Sequence, residues 1–246
     1  MNLSIRTPLA AAALLAIAGH AAANTTHDAF VDVAGSAAFD GFNQLVNTRI
    51  TRAQLGAGVA SNVAGSDQTA TLQRLTGGFY PASFGLYSWS TDSAFAINVA
   101  SAVANLGTVT LQSFITVDTS QGVDGLLQAG YLPTLSINGG AQVLAATSYS
   151  VTPVAGGFDM EGNPLQASPS NPNYGYFSWD LAAVTTPVTS FRVNFGLDTH
   201  ASALAFQLDQ SVAAPVPEPG TYGLMLAGMG VLGLLARRRK ATTTQH

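Results

Sequence analysis

The chain has 246 residues, of which 47% are hydrophobic and only 9% are charged, far below the ~25% charged residues of a typical soluble domain. Residues 24–215 contain four arginines, no lysine and twelve acidic residues, so this body has a net charge of −8. That charge excludes binding of nucleic acid through its phosphates, which needs a basic face. The chain has no cysteine, so the body must rely on its core rather than on disulfide bonds.

The start of the chain, 1–23, has the three regions of a secretory signal peptide. Arg6 supplies the positive charge, residues 9–19 form a short apolar run, and Ala21 and Ala23 place small residues at positions −3 and −1 of a cleavage site. The alternative, a retained N-terminal anchor, needs a longer apolar run. We therefore expect signal peptidase and the export machinery as partners, with cleavage after Ala23.

The first part of the body alternates between short apolar stretches and turns. Residues 42–55 fit either a helix or a strand, and residues 56–66 indicate a loop. In residues 108–118, Val109, Leu111, Ile115 and Val117 alternate with polar residues, with Phe114 as the one exception, which is the pattern of a half-buried strand. Strands are predicted at residues 29–33, 69–75, 84–89, 94–99, 108–118, 134–137, 142–145 and 148–152.

The last part of the body gives three further strands, at residues 174–181, 188–197 and 203–209, after a proline-rich loop at 156–173. Residues 198–202 are expected to join the last two strands as a hairpin loop. The inward residues of these two strands are predicted to be Phe191, Val193, Phe195, Leu197, Leu204, Phe206 and Leu208.

Nine to eleven short strands with little helix predict an all-β fold. We expect residues 24–210 to form a single antiparallel β-sandwich of jelly-roll type, followed by a linker at 211–216. No repeat of fixed period is present, which argues against a solenoid.

The C-terminal tail, residues 217–240, has three consecutive parts. Pro217, Glu218 and Pro219 form a stiff extended motif, residues 221–236 carry no charge, and a basic cluster follows. As a helix the uncharged run spans roughly 24 Å, and snorkelling of the flanking cations brings it close to the ~30 Å of a bilayer core. The sequence thus predicts a single transmembrane helix whose cytoplasmic side is fixed by Arg237, Arg238, Arg239 and Lys240.

These three parts, in this order, resemble the PEP-CTERM sorting tail of exported proteins of Gram-negative bacteria. The resemblance covers the tail and not the body. It implies recognition and cleavage near Pro217, Glu218 and Pro219 by the membrane enzyme exosortase, in bacteria that make exopolysaccharide. The precursor would be tethered in the inner membrane with its body in the periplasm, and the mature protein would reach the cell surface or the extracellular matrix. The alternative is a membrane anchor that is never processed.

Two kinds of ligand site are candidates in the body. On a strand, Tyr174 and Tyr176 share one face and Phe177 and Trp179 the other, so if one set is core the other can stack on sugar rings; alternatively, both rows pack inside. The candidate stacking residues are Tyr80, Tyr87, Trp89, Tyr174, Tyr176 and Trp179.

A calcium site is the second candidate. Asp118, Ser120 and Asp124 place oxygen ligands in one loop, but the full calcium-loop pattern and a distal glutamate are missing. A second acidic stretch lies at residues 159–163. The alternative is that these acidic residues only bend and solvate the chain. No other cofactor is expected.

Enzymatic motifs are weak. Twelve acids do not single out the facing pair that a glycosidase needs. His200 lies near Asp198, but no G-x-S-x-G motif accompanies them, and two body histidines are too few for a zinc site. We therefore expect an exported, non-enzymatic protein that is structural or associated with exopolysaccharide and biofilm. The alternatives are a carbohydrate-binding module, stabilised or not by calcium, and a secreted hydrolase; an ice-binding surface would need regular threonine rows, which are absent.

Overall fold

The computed structural model describes residues 30–83, 85–89, 92–116, 132–153, 173–197, 199, 201–214, 227–229 and 232. Two compact units are distinguished, residues 1–212 and residues 213–246. In the second unit, residues 227–229 and Leu232 are helical and exposed.

The described part of the first unit contains thirteen strands and one short α-helix. The helix is α1 (Arg52–Ala57), and a 3-10 turn follows β8 at Asn138–Gly140. The strands are β1 (Ser36–Phe42), β2 (Val59–Ala60), β3 (Ala70–Thr76), β4 (Phe79–Ala82), β5 (Gly85–Ser88), β6 (Ser93–Val99), β7 (Leu106–Thr116), β8 (Thr134–Ile137), β9 (Gln142–Ala145), β10 (Ser148–Pro153), β11 (Asn173–Asp180), β12 (Phe191–Leu197) and β13 (Ser202–Val212).

The strands form two sheets in which every pair is antiparallel. The first sheet has the order β10-β11-β7-β13-β5-β4, and β1 pairs with β13 beside β5. The second sheet has the order β2-β3-β6-β12-β8-β9. The predicted all-β, antiparallel architecture is therefore confirmed, although seven and six strands make larger sheets than those of an eight-stranded jelly roll.

The core lies between the two sheets. Phe95 of β6 and Phe195 of β12 stack with their ring centroids 5.7 Å apart. Across the interface, Phe79 meets Phe95 at 4.7 Å and Phe206 meets Phe195 at 4.9 Å. One cluster of buried side chains draws on both sheets, so the layers form a sandwich with a continuous apolar interior. The inward face predicted for β12 is confirmed, since Phe191, Val193, Phe195 and Leu197 are all buried. Phe95, Ile97 and Val99 of β6 are buried as well.

Strand β7 departs from its predicted pattern. Residues 109–115 are all buried, so both faces of this strand are covered, and the prediction of a half-buried strand is wrong. Val109, Leu111 and Ile115 belong to the main core. Gln112 and Phe114 face the other way, where residues 30–33 lie over them. The alternation identified the strand but did not reveal the segment that covers its polar face.

Residues 30–33, predicted as part of a first strand, are not a strand in the structure. The backbone of Val31 bonds to a side chain instead: its N–H donates to Gln112 Oε1 and its carbonyl accepts from Gln112 Nε2, both at 2.8 Å. Phe30 packs with Phe114 and Ala205 in a second, small apolar cluster. The first strand begins at Ser36, beyond the predicted range.

The last two strands are not a hairpin, contrary to the prediction. Strand β12 lies in the six-stranded sheet and β13 in the seven-stranded sheet, so the two consecutive strands belong to different layers. Strand β13 also has a register shift between Ala203 and Ala205. Because a bulge reverses the alternation, Ala203, Phe206 and Leu208 enter the main core while Leu204 packs against the second cluster. The inward assignment of Leu204 is therefore wrong.

The ambiguous stretch after β1 contains helix α1. Thr51 begins it with a capping box: its hydroxyl accepts from the Gln54 N–H, and the Gln54 side chain accepts from the Thr51 N–H at 2.8 Å. The loop predicted at residues 56–66 is only partly correct, because α1 extends to Ala57 and β2 occupies Val59–Ala60; the loop against β1 is residues 61–69. Asp40, only 1% exposed, accepts hydrogen bonds from Ser61 Oγ at 2.5 Å and Thr69 Oγ1 at 2.6 Å.

Candidate functional site

The predicted sorting and membrane-orienting residues lie outside the described residues. These are Pro217, Glu218, Pro219, Arg237, Arg238, Arg239 and Lys240. The signal-cleavage residues Ala21 and Ala23 also lie outside them. Among the described residues, no helix has both the length and the apolar character needed to cross a bilayer.

The predicted calcium ligands Asp118, Ser120 and Asp124 lie outside the described residues too, as do residues 159–163 and the histidine His200. Within the part of the chain that the structure describes, no three acidic or histidine side chains are grouped as metal ligands would be.

Tyr80, Tyr87 and Trp89 form an aromatic cluster on the outer face of the seven-stranded sheet. Tyr80 and Tyr87 are direct cross-strand partners on β4 and β5, with ring centroids 6.1 Å apart and planes at 86°. Tyr87 meets Trp89 at 6.1 Å and 65°. The rings are therefore not coplanar. Tyr80 and Trp89, together with Gly78 and Arg52, line an open cleft of about 490 Å³, which we call the aromatic cleft.

The alternation of β4 and β5 explains why these rings point outward. Phe79 and Leu86 are buried in the core, so their neighbours Tyr80 and Tyr87 lie on the opposite face, where both are half-buried. Trp89 follows the end of β5 and is 61% exposed, which is unusual for such a large apolar side chain.

Arg52, at the start of α1, lines the same cleft as Tyr80 and Trp89. The cleft thus combines two aromatic walls with a cation, a set that can stack on a sugar ring and bind its polar groups. No local sequence pattern marks Arg52 as a site residue, because only the fold brings it beside Tyr80 and Trp89.

The second aromatic group divides between core and surface. Trp179 is fully buried, and its Nε1 donates to the Leu144 carbonyl at 3.3 Å, so its assignment as a sugar-stacking residue is wrong. Phe177 lies beside it in the core. Tyr174 and Tyr176 occupy the other face of β11 and are half-buried.

Tyr174 is part of a buried polar network, which removes it as a free stacking surface. Its hydroxyl donates to Gln112 Oε1 at 2.6 Å, and its ring lies 5.8 Å from that of Phe30. Burial, with smaller contributions from Tyr176 and Asp209, raises the pKa of Tyr174 above its ordinary value. Tyr174 therefore stays protonated and donates its hydrogen bond at any physiological pH.

Asp209 lies in the same network and is 1% exposed. Its Oδ2 accepts from Gln207 Nε2 at 2.9 Å, while its Oδ1 has no hydrogen-bond partner among the described residues. Burial raises the pKa of Asp209 to about 6, and the hydrogen bond from Gln207 offsets only part of this rise. This carboxyl is covered by the N-terminal segment and does not open into the aromatic cleft.

Comparison with known families gives one match. Residues 215–240 match the family described as the PEP-CTERM protein-sorting motif. Comparison with curated proteins gives no match, and comparison with solved structures gives none either. The tail is therefore a PEP-CTERM sorting signal, as the sequence indicated, and it implies an exported protein whose membrane-anchored precursor is processed by exosortase.

Proposed function

We propose that this PEP-CTERM protein is a non-enzymatic component of the cell surface or exopolysaccharide matrix. In this proposal the signal peptide directs the body across the inner membrane. Exosortase then cuts the tail near Pro217, Glu218 and Pro219, and the sandwich is delivered outside the cell. The observation that carries the proposal is the match of residues 215–240 to the sorting motif.

A mass measurement tests the sorting step. The chain is expressed in a host that has exosortase, and its mass and membrane fraction are compared with those of a Pro217-Glu218-Pro219→Ala-Ala-Ala variant. We expect the wild-type chain to lose its C-terminal run and the variant to stay full-length in the membrane. Pro187→Ala, a change in the exposed chain before β12, is the matched control and should be processed normally. If the wild-type chain were instead recovered at full length in the membrane fraction, the tail would be only a membrane anchor.

A carbohydrate-binding role is the second candidate, and the aromatic cleft favours it. Trp89 is 61% exposed beside Tyr80 and Arg52 in a cleft large enough for a sugar ring. Stacking on Trp89 would cover an indole of which 61% is exposed, so binding should change its fluorescence.

Polysaccharide from the host's own matrix is the probe for this role. We expect wild-type protein to be retained by it and Trp89→Ala to lose retention. Tyr149→Ala is the matched control, because Tyr149 is 53% exposed on β10, away from the strands that form the cleft. If Trp89→Ala and Tyr149→Ala were retained equally, the aromatic cleft would not be the polysaccharide-binding site. Release of reducing sugar ends by the wild-type protein would instead support the hydrolase alternative.

A further inference from the structure

A basin of mixed polar and apolar lining lies on the outer face of the six-stranded sheet, and no predicted site residue belongs to it. Its volume is about 440 Å³. Four of its residues come from four neighbouring strands: Thr71 of β3, Asn98 of β6, Arg192 of β12 and Ser136 of β8. Rigid secondary structure therefore shapes the basin, rather than one mobile loop.

These four residues form a single row. Thr71 is the direct partner of Asn98, Asn98 of Arg192, and Arg192 of Ser136. Direct partners project from the same face of a sheet, and neighbouring strands are ~4.8 Å apart, so the row runs for about 14 Å. Asn194, two residues beyond Arg192 on β12, adds an amide to the same face and also lines the basin.

Hydrogen bonds hold the Arg192 side chain at the centre of the row. Its Nε donates to Asn98 Oδ1 at 2.6 Å, and Asn98 Nδ2 donates to Gln73 Oε1 at 3.4 Å. Gln73 Nε2 in turn donates to the carbonyl of Gly56 at 2.9 Å. The two terminal nitrogens of Arg192 have no hydrogen-bond partner among the described residues, so an oriented guanidinium keeps its fork of donors available.

The charge around Arg192 is unusual for this chain. The body carries four arginines against twelve acids, yet no aspartate or glutamate is among the described residues that line the basin. Within an acidic protein, this is a local site with one positive charge, several neutral hydrogen-bonding side chains, and the apolar residues Val99 and Phe191. Such a site favours a ligand with one anionic group and several hydroxyls over a polyanion, which the rest of the body would repel.

A rigid turn closes one side of the basin. Asn138 has a φ of 48°, and its side chain donates to the Pro187 carbonyl at 2.9 Å and accepts from the Thr189 N–H at 2.9 Å. Gly139 and Gly140 follow with φ values of 73° and 96° and line the basin. Glycine suits these angles, and it leaves backbone groups open to a ligand.

We propose that this basin binds a carboxylate-bearing polysaccharide segment. The carboxylate of a uronic acid pairs with the terminal nitrogens of Arg192, and sugar hydroxyls on either side bond to Asn98, Asn194, Thr71 and Ser136. The length of the row accommodates a short run of sugar rings in line. The proposal rests on the proposed matrix role, which it deepens by naming the class of saccharide that the sandwich recognises.

The test compares two oligosaccharides that differ only in charge. Oligogalacturonate and its carboxyl-reduced form are titrated against the full chain in detergent micelles, which makes the measurement independent of processing. We expect the acid form to bind at least about tenfold more tightly than the neutral form, since charge-assisted hydrogen bonds exceed neutral ones. Added salt should weaken only the binding of the acid form.

Variants then assign the binding to the basin. Arg192→Gln should lower affinity for oligogalacturonate at least about tenfold, and Arg192→Lys should keep part of it because the charge remains while the fork is lost. Asn194→Asp should weaken binding because the new carboxylate repels the carboxylate of the ligand, and this variant leaves residue 192 as arginine. Arg49→Gln, at an exposed arginine outside the basin, is the control and should bind normally.

Three results overturn the proposal: no binding of oligogalacturonate, equal binding of the acid and neutral forms, or unchanged binding by Arg192→Gln. If Arg192→Gln fails to fold, Asn194→Asp decides in its place. None of these results bears on processing by exosortase, whose failure is seen in the mass of the exported chain.

Discussion

Asp209 is a carboxyl group that burial keeps close to protonation. Its folded-state pKa of about 6 lies above the ordinary value of 3.8, because desolvation outweighs the bond from Gln207. A raised carboxyl pKa means that the folded state binds the proton more tightly than the unfolded chain. This contribution to stability is complete below about pH 4 and is lost as the pH rises through about 6.

We therefore expect Asp209→Asn to stabilise the protein at pH 7, where wild type carries a buried charge. The shift of about two pKa units corresponds to about 3 kcal/mol, and the gain should be smaller because the new amide lacks a partner at the Oδ1 position. Urea unfolding at pH 4, 5, 6 and 7 measures this. In the wild-type protein the free energy of unfolding should fall between pH 4 and pH 6, and in the variant this fall should be absent. If the variant showed the same fall in unfolding free energy, Asp209 would not be the group responsible for it.

Substitution of Asp32 should also stabilise the protein near pH 7, by less than substitution of Asp209. The negative charge of Asp32 contributes to the raised pKa of Asp209. Asp32→Asn should therefore move the decline in stability to lower pH while leaving the buried network intact, because Asp32 is exposed. The same series of urea unfolding measurements detects this shift. If the fall in stability moved to higher pH, the charge of Asp32 would not be raising the pKa of Asp209.

The two tryptophans of the chain provide a matched pair. Trp179 is fully buried and Trp89 is 61% exposed. Trp179→Ala should cost about 3–5 kcal/mol of unfolding free energy because it leaves a large cavity, whereas Trp89→Ala should change it by less than about 0.5 kcal/mol. Denaturant unfolding measures both. A large loss for Trp89→Ala would mean that the aromatic cleft is part of the core rather than a surface.

At the scale of elements, the strands were predictable where one face is apolar and the other meets solvent. In β12, Phe191, Val193 and Phe195 are buried and Arg192 is exposed, and here the alternation indicated both the strand and its inward face. In β7 the outward residues include Gln112 and Thr110, which are equally buried. The burial of Gln112 depends on residues 30–33, which are distant in sequence, and no local pattern carries that information.

The bulge in β13 shows a second limit. A period of two assigns Leu204, Phe206 and Leu208 to one face, and the register shift between Ala203 and Ala205 moves Leu204 to the other. The consecutive strands β12 and β13 also belong to different sheets rather than forming a hairpin. Pairing partners are a property of the whole fold, so a strand can be predicted correctly while its neighbours are not.

The turn between β3 and β4 depends on Gly77. Its φ is 93°, and a Cβ there would overlap the backbone oxygen of Asp92. We expect Gly77→Ala to cost about 2–4 kcal/mol, since it combines backbone strain with a steric clash. Gly35→Ala is the control: its φ is 77°, but nothing lies within 4 Å of the added methyl group, so only the strain of about 1 kcal/mol remains. Equal losses in thermal unfolding would mean that the turn relaxes.

At the scale of the whole molecule, the tail and the ligand surfaces differ in what specifies them. The sorting motif is one contiguous stretch, 215–240, so sequence alone identified it. The basin is assembled from residues such as Asn98 and Arg192, which lie 94 positions apart and meet only because β6 pairs with β12. Arg52 reaches the aromatic cleft in the same way, through the placement of α1.

The separation of the core from the tail along the chain predicts that the sandwich folds without the tail. All buried residues of the main core lie between Phe42 and Leu208, and β13 ends at Val212, before the tail begins. A chain that stops after Ala214 should therefore fold as the full chain does, with the same urea midpoint and the same tryptophan emission, because it keeps every buried residue of the main core. It should also escape membrane retention, since it lacks the uncharged run and the basic cluster. A lower midpoint for the shortened chain would show that the tail contributes to the stability of the sandwich as well as to sorting.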